Sequence, residues 1–147
     1  MENPVKPNPA LKSLNKLLGT WKASDPSGAE GISGEVTFEW MENNFFFIQH
    51  VDFGGGKSFE VIGYDEASQS LKTHYFSNTG QIIEYTYEVN GDIITVSIDM
   101  PHAKGKFIGK LSDDGNSYTG RWDWVEDGAK KGYDATMTRV QPKKTAA

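Results

Sequence analysis

The chain holds no cysteine among its 147 residues, which excludes disulfides, thiol nucleophiles and thiolate metal sites and fits a reducing, cytoplasmic setting. Positive charge is scarce as well: the net charge is −5 and the isoelectric point lies near 5.2. Nucleic-acid binders gather Lys and Arg to neutralise phosphates, so no nucleic-acid partner is expected. Arg121 and Arg139 are the only arginines, and Lys104, Lys106 and Lys110 alternate along one segment as a solvated face. No apolar run is long enough to span a bilayer. Met1 to Pro9 carries three prolines and no signal-type apolar core, so no membrane insertion is expected. Helical segments long enough for a parallel crossover are missing too.

What remains is alternating hydrophobicity cut by tight turns. A length of 147 residues suits one domain. Residues 1–9 read as a flexible lead, 10–141 as a single β-barrel domain, and 142–147 as a polar tail. Leu11, Leu14, Leu17 and Leu18 have helical spacing after Pro9 and predict a short N-terminal helix capping one end of the barrel. From Trp21 the period becomes two, and about ten strands are expected at 17–24, 34–41, 44–53, 57–65, 69–77, 81–89, 92–100, 104–111, 117–126 and 129–140. Without crossovers these strands form an antiparallel meander, and the fold class is an all-β up-and-down barrel.

Hairpin turns fix which side chains face inward, because a slip of one residue exchanges the two faces of a strand. Asn90-Gly91 predicts a two-residue turn that sets Tyr87 opposite Ile94 and Tyr85 opposite Val96. Asp127-Gly128 sets Trp124 opposite Lys131 and Trp122 opposite Tyr133. Asn78-Thr79-Gly80 suits a three-residue loop that pairs Tyr75 with Ile83 and points Leu71, Thr73 and Tyr75 inward. A turn at Glu42-Asn43 sets Trp40 opposite Phe45 and Phe38 opposite Phe47, while Gly54-Gly55-Gly56 lets Val51 face Phe59. On this register His50, His74, Glu84, Glu88, Asp99, Arg121 and Asp123 face outward. An outer face carrying Ile48, Ile62, Tyr64 and Phe76 offers a homodimer contact.

Alternating strand directions return the last strand to the end where the first begins. Trp21 and Arg139 can therefore meet, the guanidinium stacking on the indole while it bonds backbone carbonyls. Gly19, Trp21 and Arg139 are the expected closure residues. They resemble the calycin superfamily of lipocalins and fatty-acid-binding proteins, whose hallmarks are Gly-x-Trp on the first strand and a late arginine. Leu18-Gly19-Thr20-Trp21, the Gly63-Tyr64-Asp65 step and the Trp40 strand are more closely similar to a bacterial lipocalin-like family. The resemblance covers nearly the whole chain and implies a barrel that encloses a small molecule. It implies no particular ligand, because the later lipocalin fingerprints and disulfides are missing.

Barrels of eight or more strands have room for side chains and one ligand. The expected lining is Phe47, Gln49, Val51, Phe59, Thr73, Tyr75, Tyr85, Ile98, Met100, Phe107, Trp122, Trp124 and Tyr133, mostly apolar with a few polar groups, as in small-molecule pockets. The alternative is an interior filled by the same aromatics. Two functions stay open. One is binding of a small hydrophobic or aromatic molecule, anchored by Gln49, Tyr75, Tyr85 and Lys131. The other is a metal-independent isomerase or cyclase in which Tyr75, Tyr85, Tyr133, Lys131 or His102 moves a proton. With His50 and His74 outward, only His102 faces the mouth and no metal site is expected. No cofactor is expected either: Gly54-Gly55-Gly56-Lys57-Ser58 lacks the leading glycine and the following helix of a phosphate loop.

Overall fold

In the computed structural model, which describes residues 5–24 and 33–140, the two-residue periodicity resolves into strands that each pair with their sequence neighbours. They are β1 (Gly19–Ser24), β2 (Ser33–Trp40), β3 (Phe47–Asp52), β4 (Lys57–Asp65), β5 (Ser70–Ser77), β6 (Ile82–Asn90), β7 (Ile93–Met100), β8 (Ala103–Leu111), β9 (Ser117–Glu126) and β10 (Ala129–Arg139). β1 also pairs with β10, so the ten antiparallel strands form a closed all-β barrel with no free sheet edge. The polar tail 142–147 and residues 1–4 of the lead lie outside the described residues.

The N-terminal helix is a 3-10 helix, Pro9–Leu17. Leucines at intervals of three match a turn of three residues, so Leu11, Leu14 and Leu17 fall on one line and are buried together. Asn8 starts it, its side-chain oxygen accepting the Ala10 N–H at 2.9 Å, with Pro9 in the first turn. Because the helix runs to Leu17, β1 begins two residues later than the sequence pattern places it. Two indoles fasten the helix across one end of the barrel. Trp40 Nε1 donates to Asn15 Oδ1 at 2.7 Å, and Trp21 Nε1 donates to Leu17 O at 2.9 Å.

The seam between β1 and β10 lies at that same end. Trp21 stands directly opposite Arg139 in the ladder, and the guanidinium carbon sits 4.2 Å from the indole centroid. The buried guanidinium donates to Gly115 O and Lys16 O at 3.0 Å each and to Leu18 O. A Cβ on Gly19 would come within 3.0 Å of Arg139 Nη1, and the residue has a φ of +114°, so glycine is required there.

Above the seam the interior is a run of rings: Trp21 to Tyr118 (6.5 Å), Tyr118 to Phe107 (5.7 Å), Phe107 to Trp122 (5.6 Å), Trp122 to Tyr85 (5.6 Å) and Tyr85 to Tyr75 (6.1 Å). The Phe107 and Tyr118 rings lie over Gly109, where a Cβ would come within 2.8 Å of both. A side chain there would displace the rings that fill the closed half.

The Asp127-Gly128 turn has positive φ at both residues and pairs Trp124 with Lys131 and Trp122 with Tyr133, as the sequence predicts. The Tyr75–Ile83 pair also forms as expected. Two other hairpins shift by two residues and so keep their inward sets. Gly91 and Asp92 form the β6–β7 loop, which places Tyr87 opposite Val96 and Tyr85 opposite Ile98. A 3-10 turn at Glu42–Asn44 lengthens the β2–β3 loop and places Trp40 opposite Phe47 and Phe38 opposite Gln49.

The β3–β4 hairpin differs by one residue, and this corrects the lining. Val51 pairs with Ser58 and His50 with Phe59, so Phe59 points outward, 45% exposed, with its ring 5.3 Å from that of Phe76. Ile62 is fully buried and Tyr64 packs on the core, which removes both from the expected dimer face. The slip has a physical cause. The hairpin turns on Gly54 and Gly55 alone: the Phe53 N–H donates to Gly56 O at 2.9 Å, which carries the Asp52–Lys57 register to the tip, and the Phe53 ring lies against Gly34. Asn78 then clamps the incoming strand: its N–H donates to Lys57 O at 2.8 Å, its Oδ1 accepts the Lys57 N–H at 3.2 Å, and its Nδ2 donates to Gly55 O at 3.1 Å.

We expect Arg139→Ala to destabilise the fold by about 4 kcal/mol in urea unfolding, since it strands buried carbonyls and removes the cation over Trp21. Arg139→Lys should cost about half as much, because a lysine cannot serve three carbonyls in a plane. Wild-type midpoints for both variants would show that the seam does not depend on this residue.

Candidate functional site

Accessibility inside the barrel changes from one end to the other. Trp21, Phe47, Ile62, Ile94 and Leu111 are fully buried toward the helix-capped end. Toward the other end the inward-facing Tyr75, Tyr85, Trp122, Trp124 and Tyr133 are only half-buried, as are Gln49, Val51, Ile98 and Met100. The Trp124 and Tyr133 rings meet edge-on at 5.8 Å near the rim. The result is an open end, called the cup below, whose inward aromatic side chains keep some accessible surface above a buried floor.

The floor carries the one group that the sequence pattern does not reveal. Glu60, on β4 between Gln49 of β3 and Tyr75 of β5, points inward and is 3% exposed. Thr73 Oγ1 donates to its Oε1 at 2.8 Å, and the Tyr87 hydroxyl donates to Oε2 at 3.0 Å and Oε1 at 3.3 Å. Burial raises its pKa from 4.5 to about 7, against the opposing pull of the Thr73 and Tyr87 hydrogen bonds. The phenols of Tyr85, Tyr87 and Tyr118 are pushed above their ordinary range, by burial first and by the Glu60 charge second. The Tyr133 phenol is raised chiefly by burial.

Glu60 escapes the sequence pattern because the Gly54-Gly55-Gly56 loop suggests the wrong face for β4. A better signal lies at the other end of the strand. Asp65 pairs with Ser70 around a four-residue loop in which the Asp65 carboxylate accepts the Ser68 hydroxyl at 2.6 Å. Counting back from inward Leu71 and Thr73 brings Tyr64, Ile62 and Glu60 inward.

The expected site residues divide accordingly. Gln49, Val51, Tyr75, Tyr85, Ile98, Met100, Trp122, Trp124 and Tyr133 come together in the cup. Phe47, Thr73 and Phe107 are buried in the wall and floor beneath it, and Phe59 lies outside. There it borders, with His50, Thr37 and Phe76, a groove of about 520 Å³ on the outer face of β2 to β5. His102 is 84% exposed on the β7–β8 turn, 3.8 Å from Asp127. Lys131 is held at the rim by Glu126 at 2.5 Å, which lowers the Glu126 pKa. His50 and His74 face outward beside Glu39 and Glu84, and Arg121 bonds Asp123 and Asp134 on the outer surface. Among the described residues no three His, Asp or Glu side chains gather as a metal site, and no helix is long and apolar enough to cross a membrane.

The Glu60 environment makes a signed prediction. Its folded pKa of about 7 exceeds the unfolded 4.5, so between these values the native state holds a proton that the unfolded state has released. Stability therefore falls as pH rises across that window, by about 3 kcal/mol in total, and levels off above it. Urea unfolding at pH 5 and pH 8 should show Glu60→Gln gaining about that amount on the wild type at the higher pH. A difference that stays constant with pH would mean that Glu60 is not buried in the fold.

No protein-family model matches this chain and no curated protein matches it, which leaves the geometry of the cup to carry the functional conclusion.

Proposed function

We propose that the barrel binds a small hydrophobic or aromatic molecule in the cup at its open end, in a cytoplasmic setting consistent with the lack of cysteine. One observation carries this: inward-facing Tyr75, Tyr85, Trp122, Trp124 and Tyr133 keep accessible ring surface where the rest of the interior is filled. A concave aromatic wall with a few polar groups suits a small apolar ligand, and desolvation of the rings would supply most of the affinity. The calycin resemblance of Gly19, Trp21 and Arg139 is in keeping with this, since those residues seal the far end and leave the cup free.

The enzyme alternative gains one specific feature. A carboxyl with a pKa of about 7 at the floor of an aromatic cup has the properties of a general acid or base. In that reading Glu60 takes the place of exposed His102 as the proton-moving group, with Tyr75 and Tyr85 beside it.

N-phenyl-1-naphthylamine, a neutral aromatic probe, should bind the wild type with enhanced emission and quenched tryptophan fluorescence. Trp124→Ala and Tyr133→Ala should each weaken binding about tenfold, the loss expected for one aromatic contact. Phe59→Ala, on the outer face, should leave the Kd unchanged. Loss of binding in Phe59→Ala with retention in the two cup variants would move the site to the outer groove.

A further inference from the structure

We propose that the ligand of this cup carries a protonated nitrogen at its leading end, as a flat aromatic amine does, and seats that nitrogen on Glu60 with its ring among Tyr75, Tyr85 and Trp122. This inference rests on the cup being the binding site and assigns the chemical class of its occupant.

The placement of charge inside the barrel points that way. Four charged residues stand at inward register positions on the described strands: Glu60, Glu126, Lys131 and Arg139. Glu126 and Lys131 are paired with each other at the rim. Arg139 is committed to Trp21 and three backbone carbonyls at the closed end. Among the described residues Glu60 has hydroxyl partners alone, Thr73 and Tyr87. A carboxylate has about four acceptor positions, and Oε2 receives only the Tyr87 hydroxyl, so it has capacity for another donor.

Burying a carboxylate without a cation is costly, and an incoming ammonium supplies the missing charge. The groups around Glu60 favour the same ligand. Gln49 and Tyr75 flank Glu60 on the neighbouring strands, and the Tyr85 and Trp122 rings, 5.6 Å apart, offer faces that attract cations. A carboxylate ligand such as a fatty acid would meet Glu60 with no free cation among the described inward residues to receive it.

The titratable groups facing Glu60 from the packed strands are Tyr75 on β5, Tyr85 and Tyr87 on β6 and Tyr118 on β9; the last three are held neutral by burial. The pH response of binding therefore belongs to Glu60. An ammonium requires it ionised, so affinity for an amine should rise as pH increases through about 7.

Three molecules of nearly equal shape test this on the full chain: 2-naphthylmethylamine, 2-naphthylmethanol and 2-naphthoate, each displacing N-phenyl-1-naphthylamine at pH 8. The amine should bind at least about tenfold tighter than the alcohol, as expected for a hydrogen bond to a charged group, with the carboxylate weakest. Glu60→Gln should bring the amine to the level of the alcohol and leave the alcohol unchanged. If that variant unfolds, the wild-type amine-to-alcohol ratio decides, since it should fall as pH drops from 8 to 6. Equal affinities for amine and alcohol, or tightest binding of the carboxylate, would overturn the amine assignment and leave the cup as a binding site. Failure of the wild type to bind the probe and all three molecules would overturn both.

Discussion

The barrel depends on the contact between Trp21 and Arg139, because that is where the two ends of the meander must join. Nine hairpin ladders form between sequence neighbours, but the β1–β10 ladder closes the longest loop in the fold and must offset its entropy. A fully buried indole, a guanidinium 4.2 Å above it and three carbonyls accepting from that guanidinium concentrate the interactions of the seam at one end. A cation without a carboxylate partner among the described residues is tolerated here because aligned carbonyls and the indole face solvate it. The 3-10 helix supplies two of those carbonyls, Lys16 directly and Leu18 just past its end, so helix docking and barrel closure are a single event.

That event decides where a site can be. The helix leucines, the Trp21–Tyr118–Phe107 rings and the rings stacked over Gly109 fill the closed half with side chains. Interior packing at native density leaves no room for a ligand there. In the opposite half the inward aromatic rings are only half-buried. Glu60 is the inward group least consistent with a core built only for stability. Its ionised form is destabilising, and Thr73 and Tyr87 offset only part of that cost. A local rule broken inside an otherwise consistent core is where function is expected.

Much of this was readable from residue order. Asp127-Gly128 specifies its turn because both residues adopt positive φ, and the strands on either side follow without ambiguity. Asn78-Thr79-Gly80 does the same for β5 and β6. Where the loops differ from the simplest two-residue turn, at Gly91-Asp92 and at Glu42–Asn44, the register moves by two residues, and alternation carries the inward set through unchanged. Most of the inward-facing set was legible for that reason. Phe59 was not, and neither was its neighbour Glu60.

The sequence by itself determined the number and direction of the strands, the residues that close the barrel and the aromatic character of its interior, since period-two hydrophobicity and turn chemistry act over a few residues. Only the tertiary structure decided which face of β4 turns inward. That strand carries Phe59 and Val61 on one face and Ile62 and Tyr64 on the other, so hydrophobic burial alone does not choose between them. The choice goes with a loop of Gly54 and Gly55 alone, closed by the Phe53 N–H on Gly56 O, and is accompanied by Phe53 covering Gly34 and Asn78 holding Lys57 and Gly55. The last two contacts join residues far apart in the chain, and with them a carboxylate rather than a phenylalanine came to face the inside of the barrel.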